Sequence, residues 1–109
     1  MTLEQRLEAF RRFVERSPDD PFARYSLAMG QRAAGRPEEA AREFEELAGR
    51  SPDYVPTYLM WGQVLEALGR AEEAGAVYGR GAEVALRARN DHARSELLEA
   101  LDALRRQGT

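Results

Sequence analysis

The sequence predicts an all-α protein of about six helices, arranged as antiparallel hairpins that stack into a solenoid. The first observation behind this is a repeated hexapeptide. Gly35-Arg36-Pro37-Glu38-Glu39-Ala40 returns 34 residues later as Gly69-Arg70-Ala71-Glu72-Glu73-Ala74. The second is that other landmarks keep the same step: Pro18 and Pro52, Asp19 and Asp53, then Phe10, Phe44 and Tyr78. A fixed period of this size marks one supersecondary unit used again. The third is composition. Alanine, leucine, glutamate and arginine dominate, isoleucine is absent and there are only five valines, a balance that favours helix over strand.

Each helix has local reasons for its limits. Helix one is expected over about Leu3–Arg16. Thr2 and Gln5 form a capping box, Leu3, Leu7, Phe10, Phe13 and Val14 make one apolar stripe, and Ser17-Pro18 ends the helix because a residue before proline leaves the α region. Helix two opens at Asp20-Pro21, an N-cap followed by a proline at the first helical position, and runs to Ala34, where Gly35 can turn left-handed. Helix three runs from Pro37 to near Arg50, with Glu38 and Glu39 in its first turn, where negative charge is favoured. Helix four follows Asp53-Tyr54-Val55-Pro56 and ends at Gly69. Helix five starts at Ala71. Leu86 stands where proline ended the earlier helices, so it continues to Arg87 or Arg89. Asn90-Asp91 breaks the chain and caps helix six, expected over His92–Gln107 with Leu97, Leu98, Leu101 and Leu104 buried. Connections of two to four residues make neighbouring helices antiparallel.

Composition closes off several function classes. A chain of 109 residues reads as one domain. Its 16 basic residues, all arginine, are mixed with 19 acidic ones for a net charge of -3, so there is no basic patch to draw nucleic acid. Without cysteine there is no disulfide, thiolate nucleophile or Cys-ligated zinc. No apolar run approaches the ~20 residues that span a bilayer, and Met1-Thr2-Leu3-Glu4-Gln5 lacks the apolar core of a signal peptide. The expectation is a soluble cytoplasmic protein that binds neither membrane nor nucleic acid and carries no cofactor.

With these residues in place, the chain resembles the tetratricopeptide repeat family, whose unit is a 34-residue pair of antiparallel helices, A and B. Counted from Pro21, Leu27 and Ala28 take the seventh and eighth positions, Gly35 the turn glycine, Ala40 the small residue of helix B, Phe44 its aromatic and Pro52 the terminal proline. Counted from Val55, Tyr58 takes the first aromatic position and Trp61 the seventh; Gly62, Gly69, Ala74, Tyr78 and Gly81 follow in register. The resemblance implies a lone B-type helix over 3–16, one unit over 21–54, a second over 55–88 and a capping helix over 91–107. Departures are Arg24 for an aromatic, Gln31 and Leu65 for tyrosine, Leu47 for a small residue and Leu86 for proline. Leu47 implies some splaying of the first unit. Small residues let helices approach closely, with Ala28 and Ala40 serving one hairpin and Gly62 and Ala74 the other. Phe44 and Tyr78 are expected to fill the space between hairpins. Stacking then covers the apolar surface each hairpin leaves exposed.

In this family the A helices line a concave face that commonly binds ligands. The resemblance therefore implies a strip of Phe22, Tyr25, Ser26, Met29 and Arg32 from helix two and Leu59, Met60, Gln63 and Glu66 from helix four. Helical spacing agrees, and its two methionines suit varied partners. The implied function is a non-enzymatic protein-interaction module that takes an extended or helical segment on this strip, with Arg32, Gln63 and Glu66 setting register. Two other outcomes stay open: helix six covers the strip, or the chain self-associates through its end helices or concave face as a structural homo-oligomer. A carboxylate clamp of the kind some family members use is missing, because Tyr25, Met29 and Met60 occupy its positions. Glu38-Glu39 and Glu72-Glu73 are first-turn pairs whose neighbours point apart, which suits dipole and solvation. His92 is the only histidine and makes a poor metal site without cysteine. Ser26, Ser51 and Ser95 have no histidine at a catalytic spacing. Gly75 and Gly79, inside helix five, admit either a close helix contact or simple drift.

Overall fold

A computed structural model describes residues 1–108. Its six helices are α1 (Leu3–Arg16), α2 (Pro21–Ala33), α3 (Pro37–Arg50), α4 (Pro56–Ala67), α5 (Ala71–Arg87) and α6 (Asp91–Gln107). No strand is present among the described residues. Each helix packs on the next in sequence, and α6 also reaches α4. The chain is elongated, 41 × 29 × 20 Å, as a single-file row requires.

The helix ends follow the capping chemistry. Thr2 and Gln5 exchange hydrogen bonds of 2.8 and 3.1 Å at the start of α1. The Phe22 N–H donates to Asp20 Oδ1 at 2.9 Å, and the Ala93 N–H to Asn90 Oδ1 at 3.0 Å. Gly35 and Gly69 turn left-handed, with φ of 74° and 75°. The next residues, Arg36 and Arg70, donate back to the Gln31 and Leu65 carbonyls, the bonding of a Schellman end. Arg89 makes the third such turn at φ 57° without the help of glycine. Helices α2 and α4 stop one and two residues before the expected limits because Ala34 and Leu68 are already cap residues.

The core runs through the hairpins. Ala28, Ala40, Phe44, Tyr58, Ala74, Tyr78 and Ala85 are fully buried. The two full hairpins pack differently. In α4/α5, two tyrosine–glycine seats oppose each other: the Tyr78 ring covers Gly62, and Tyr58 covers Gly81 so closely that no Cβ fits at either glycine. The Tyr58 hydroxyl donates to the Pro52 carbonyl, and the Arg80 guanidinium lies 5.4 Å from the ring centre. One repeat earlier, Arg24, Glu43 and Leu47 replace Tyr58, Val77 and Gly81. Leu47 puts a buried side chain where Gly81 has none. The tyrosine is replaced by an Arg24–Glu43 ion pair of 3.0 Å whose side chains are 12% and 23% exposed. The departure predicted to splay this hairpin is thus part of an exchange in which both large residues, Leu47 and Tyr58, stay buried.

Within their own hairpins Phe44 meets Tyr25 edge-on at 6.2 Å, and Tyr78 covers Gly62. Other expectations need correction. Leu98 is 39% exposed, whereas Leu97 is buried. Gly75 sees only ordinary contacts, 3.7 Å to Leu101 and Leu104, and Gly79 faces open space. No close helix approach within the chain explains either glycine.

These environments separate the glycines energetically. Gly79→Ala should stabilise the fold by up to ~1 kcal/mol, because alanine is the better helix residue and nothing obstructs it. Gly81→Ala should destabilise it by about 1–3 kcal/mol through overpacking against Tyr58. Urea unfolding followed by circular dichroism checks both signs.

Candidate functional site

The expected strip does not form one surface. Phe22, Ser26 and Met29 line a groove of about 410 Å³ between α1 and α2, together with Leu3, Arg6 and Phe10. Leu59 and Met60 line another, of about 320 Å³, between α2, α4 and α6. Tyr25 lines both and forms the ridge between them. Its ring is braced edge-on by Phe44 at 6.2 Å and Tyr54 at 5.9 Å. Arg32, Gln63 and Glu66 line neither groove.

Two of the three register residues, Arg32 and Glu66, are engaged inside the chain. Arg32 Nη1 lies 3.3 Å from Met60 Sδ and so bridges α2 to α4. The Tyr78 hydroxyl donates to the Glu66 carboxylate, tying α5 to α4. Ser26 Oγ donates to the Phe22 carbonyl at 2.8 Å, which satisfies its hydroxyl within α2. Phe22 is 55% exposed and leans edge-on against Phe13 at 6.3 Å.

Helix α6 neither fills nor leaves the second groove; it builds a wall. Asn90, His92, Ala93, Glu96 and Leu97 face Tyr25, Val55, Pro56, Leu59 and Met60 across the opening. His92 Nε2 lies 3.3 Å from Glu96 at the rim. The sequence places α6 as a capping helix and leaves open that it covers the strip; no spacing within α6 marks it as one side of a groove. The groove is therefore a three-helix site, apolar on its floor and polar on one lip.

The opposite face carries a larger cavity of about 960 Å³, lined by Trp61, four arginines and four glutamates among others. Its charges largely satisfy one another. Arg50 pairs with Glu46 at 2.8 Å, Arg70 with Glu73 at 2.6 Å, and Arg70 also reaches Glu38 at 4.0 Å. Hydrogen bonding from Arg50 draws the Glu46 carboxyl below its usual range. With both signs balanced this cavity has no field to select a charged ligand, so size alone does not make it the site. Among the described residues no cluster of three metal-ligating side chains occurs, and no helix is long and apolar enough to cross a membrane.

Comparison with known proteins fits this geometry. Residues 31–101 match the family model described as tetratricopeptide repeat. The chain is a tetratricopeptide repeat protein. A crystal structure of a tetratricopeptide repeat domain protein from Salinibacter ruber is 37% identical, with a TM-score of 0.75 over 79% of this chain and 97% of that one. A solution structure of a tetratricopeptide repeat domain protein from the same organism is 38% identical, with a TM-score of 0.76 over 80% and 88%. PcrH, solved in complex with the chaperone binding region of PopD, shares 12% identity, with a TM-score of 0.89 over 98% of this chain and 81% of that one. At that identity PcrH speaks for the fold. No curated protein matches the sequence. Tetratricopeptide repeats generally mediate protein–protein interactions and are generally non-enzymatic.

The tyrosines that hold the site give it a pH signature. Burial, chiefly, pushes the hydroxyls of Tyr25, Tyr54, Tyr58 and Tyr78 above the ordinary tyrosine range. For Tyr78 the hydrogen bond to Glu66 adds to the rise. A raised folded pKa means that the unfolded chain loses these protons first. The stabilisation is therefore complete below about pH 10 and lost as pH rises beyond it. Thermal melts from pH 8 to 12 should show falling stability in the alkaline limb, less steep in Tyr78→Phe. Phenolate absorbance appearing near pH 10 with full helicity retained would contradict this.

Proposed function

We propose that the protein is a peptide-binding module whose primary site is the α2/α4/α6 groove. The observation that carries this reading is the opening between Tyr25, Leu59, Met60 and Ala93. It is an apolar floor of about 320 Å³ that α6 flanks without filling. Such a volume takes one or two apolar side chains. The polar lip of Asn90, His92 and Glu96 orients the backbone that carries them. Methionine at the floor lets the site repack around different side chains. The PcrH structure, which holds a segment of PopD, shows this fold gripping a chain segment and supports the reading at the level of architecture. Arg32 and Glu66, tied to Met60 and Tyr78, preorganise the helices around the groove and do not contact the ligand. We take the whole chain to act as one unit in this binding.

Self-association is the second reading. It rests on the exposed Leu3, Phe22, Leu86 and Leu98, and sedimentation at tens of micromolar separates it from the first.

The test is selection of a displayed library of short flexible peptides on the immobilised chain. Enriched peptides should bind saturably and lose at least about tenfold in affinity in Leu59→Glu and in Ala93→Arg, as expected when a central apolar anchor loses its pocket. Arg42→Glu on the opposite face should leave affinity unchanged, and circular dichroism confirms folding of each variant. Binders indifferent to both groove substitutions would overturn the assignment.

A further inference from the structure

The groove between α1 and α2 has a different origin from the site proposed above. Helix α1 spans Leu3–Arg16, and α3 spans Pro37–Arg50, so both ends differ by one repeat of 34. Helix α2 likewise stands one repeat before α4. The α1/α2 pair is thus the repeat equivalent of the α3/α4 pair. Upon α3 and α4 sits a third helix, α2 itself. Tyr25 of α2 packs edge-on against Phe44 of α3 at 6.2 Å, and Arg32 of α2 reaches Met60 of α4 at 3.3 Å. No described helix takes the corresponding place on α1 and α2, and the groove of about 410 Å³ marks it.

The same positions record the missing cover. Phe44 is fully buried beneath α2, whereas its equivalent Phe10 is only half-buried and lines the open groove. Leu3 at one end is 50% exposed, and Phe22 is 55% exposed. One wall residue breaks the apolar pattern. Arg6 stands where the full hairpins have Ala40 and Ala74, both fully buried. Arg6 lines the groove and forms no ion pair among the described residues. Arg6 is exposed, and a guest that buried its guanidinium without an anion would lose its solvation uncompensated, so a guest that brings a carboxylate suits this groove best.

We infer that the α1/α2 groove receives an amphipathic helix of a partner protein, seated as α2 is seated on α3 and α4, with an aromatic anchor against Phe10 and a carboxylate opposite Arg6. The internal repeat supplies the shape of the guest: an aromatic at the place of Tyr25, small residues along the contact line, and an acidic residue at or beside the place of Ala28. A charge at that place makes the pairing selective, because a basic or neutral helix leaves Arg6 buried without a counter-ion. The inference does not depend on the α2/α4/α6 groove, since only Tyr25 is shared between the two.

The probe is a stapled helical peptide with the sequence of Asp20–Gly35 carrying Ala28→Glu, titrated into the full chain by fluorescence anisotropy. Saturable binding is expected, weaker by at least about tenfold for the unchanged Ala28 peptide or for the Arg6→Glu protein. Pairing the Arg6→Glu protein with an Ala28→Arg peptide should recover much of the loss, which mere unfolding of the variant cannot produce. Leu59→Glu should leave this binding intact while abolishing the library peptides, so the two sites fail separately. Absence of saturation at about 1 mM, or equal affinity for every charge combination, overturns the inference. So does a dimer in sedimentation that Arg6→Glu dissociates, because a second copy would then be the occupant.

Discussion

The structure depends on how closely two helices can approach when one presents a glycine and the other a tyrosine ring. In α4/α5 the arrangement is reciprocal: Tyr58 on Gly81, Tyr78 on Gly62. Each ring is a large buried surface, and each glycine removes the atom that would hold it off. Because the two seats face opposite ways, they fix both the separation and the register of the helices. The hydroxyls then act outward. Tyr58 reaches the Pro52 carbonyl and Tyr78 the Glu66 carboxylate, so the same rings that close the hairpin tie it to the preceding turn and to the side of α4. The α4 wall of the α2/α4/α6 groove is placed by this lock.

The first hairpin shows that the lock is one solution among several. Arg24, Glu43 and Leu47 occupy the positions of Tyr58, Val77 and Gly81. The large residue has moved from the A helix to the B helix, and a partly buried ion pair stands where the ring was. A buried large apolar residue is kept on one helix or the other, Leu47 or Tyr58, while polarity is redistributed across the interface. The position-by-position departures from the family pattern are therefore coupled. Taken singly, Leu47 suggests splaying; taken with Arg24 it does not.

How much was legible follows from the same distinction. The period of 34 residues, the prolines after α1 and α3 and the turn glycines are local signals, and the helices fall within two residues of their expected limits. The family assignment rests on those signals too. The strip of site residues was legible only as membership of two helices. Its division into two grooves depends on Tyr25 standing as a ridge, and Tyr25 does so because Phe44 and Tyr54 brace it from other helices. No helical spacing within α2 carries that information. The contribution of α6 was missed for another reason. The repeat pattern does not carry into α6, where His92, Ser95, Glu96 and Glu99 fall on the positions of Tyr58, Trp61, Gly62 and Leu65, so the period gives no guide to which side of α6 faces α4. Helical spacing predicts Leu98 to be buried, but α6 turns its buried side through Leu97 towards α5 and α4, and Leu98 falls outside that arc.

The outward faces of the first and last described helices differ. At α6 the positions equivalent to Tyr58, Trp61, Gly62 and Leu65 are His92, Ser95, Glu96 and Glu99, all exposed. The face that would otherwise meet another helix is polar, which is how a repeat array is closed to solvent. At α1 the equivalent face keeps Leu3 and Phe10 and adds Arg6, which forms no ion pair among the described residues. Exposed apolar surface next to an isolated charge is a poor cap and a good receptor, since the apolar part provides affinity and the charge excludes unsuitable guests. The asymmetry between the ends, more than the size of any cavity, makes the amino-terminal groove a place for another helix.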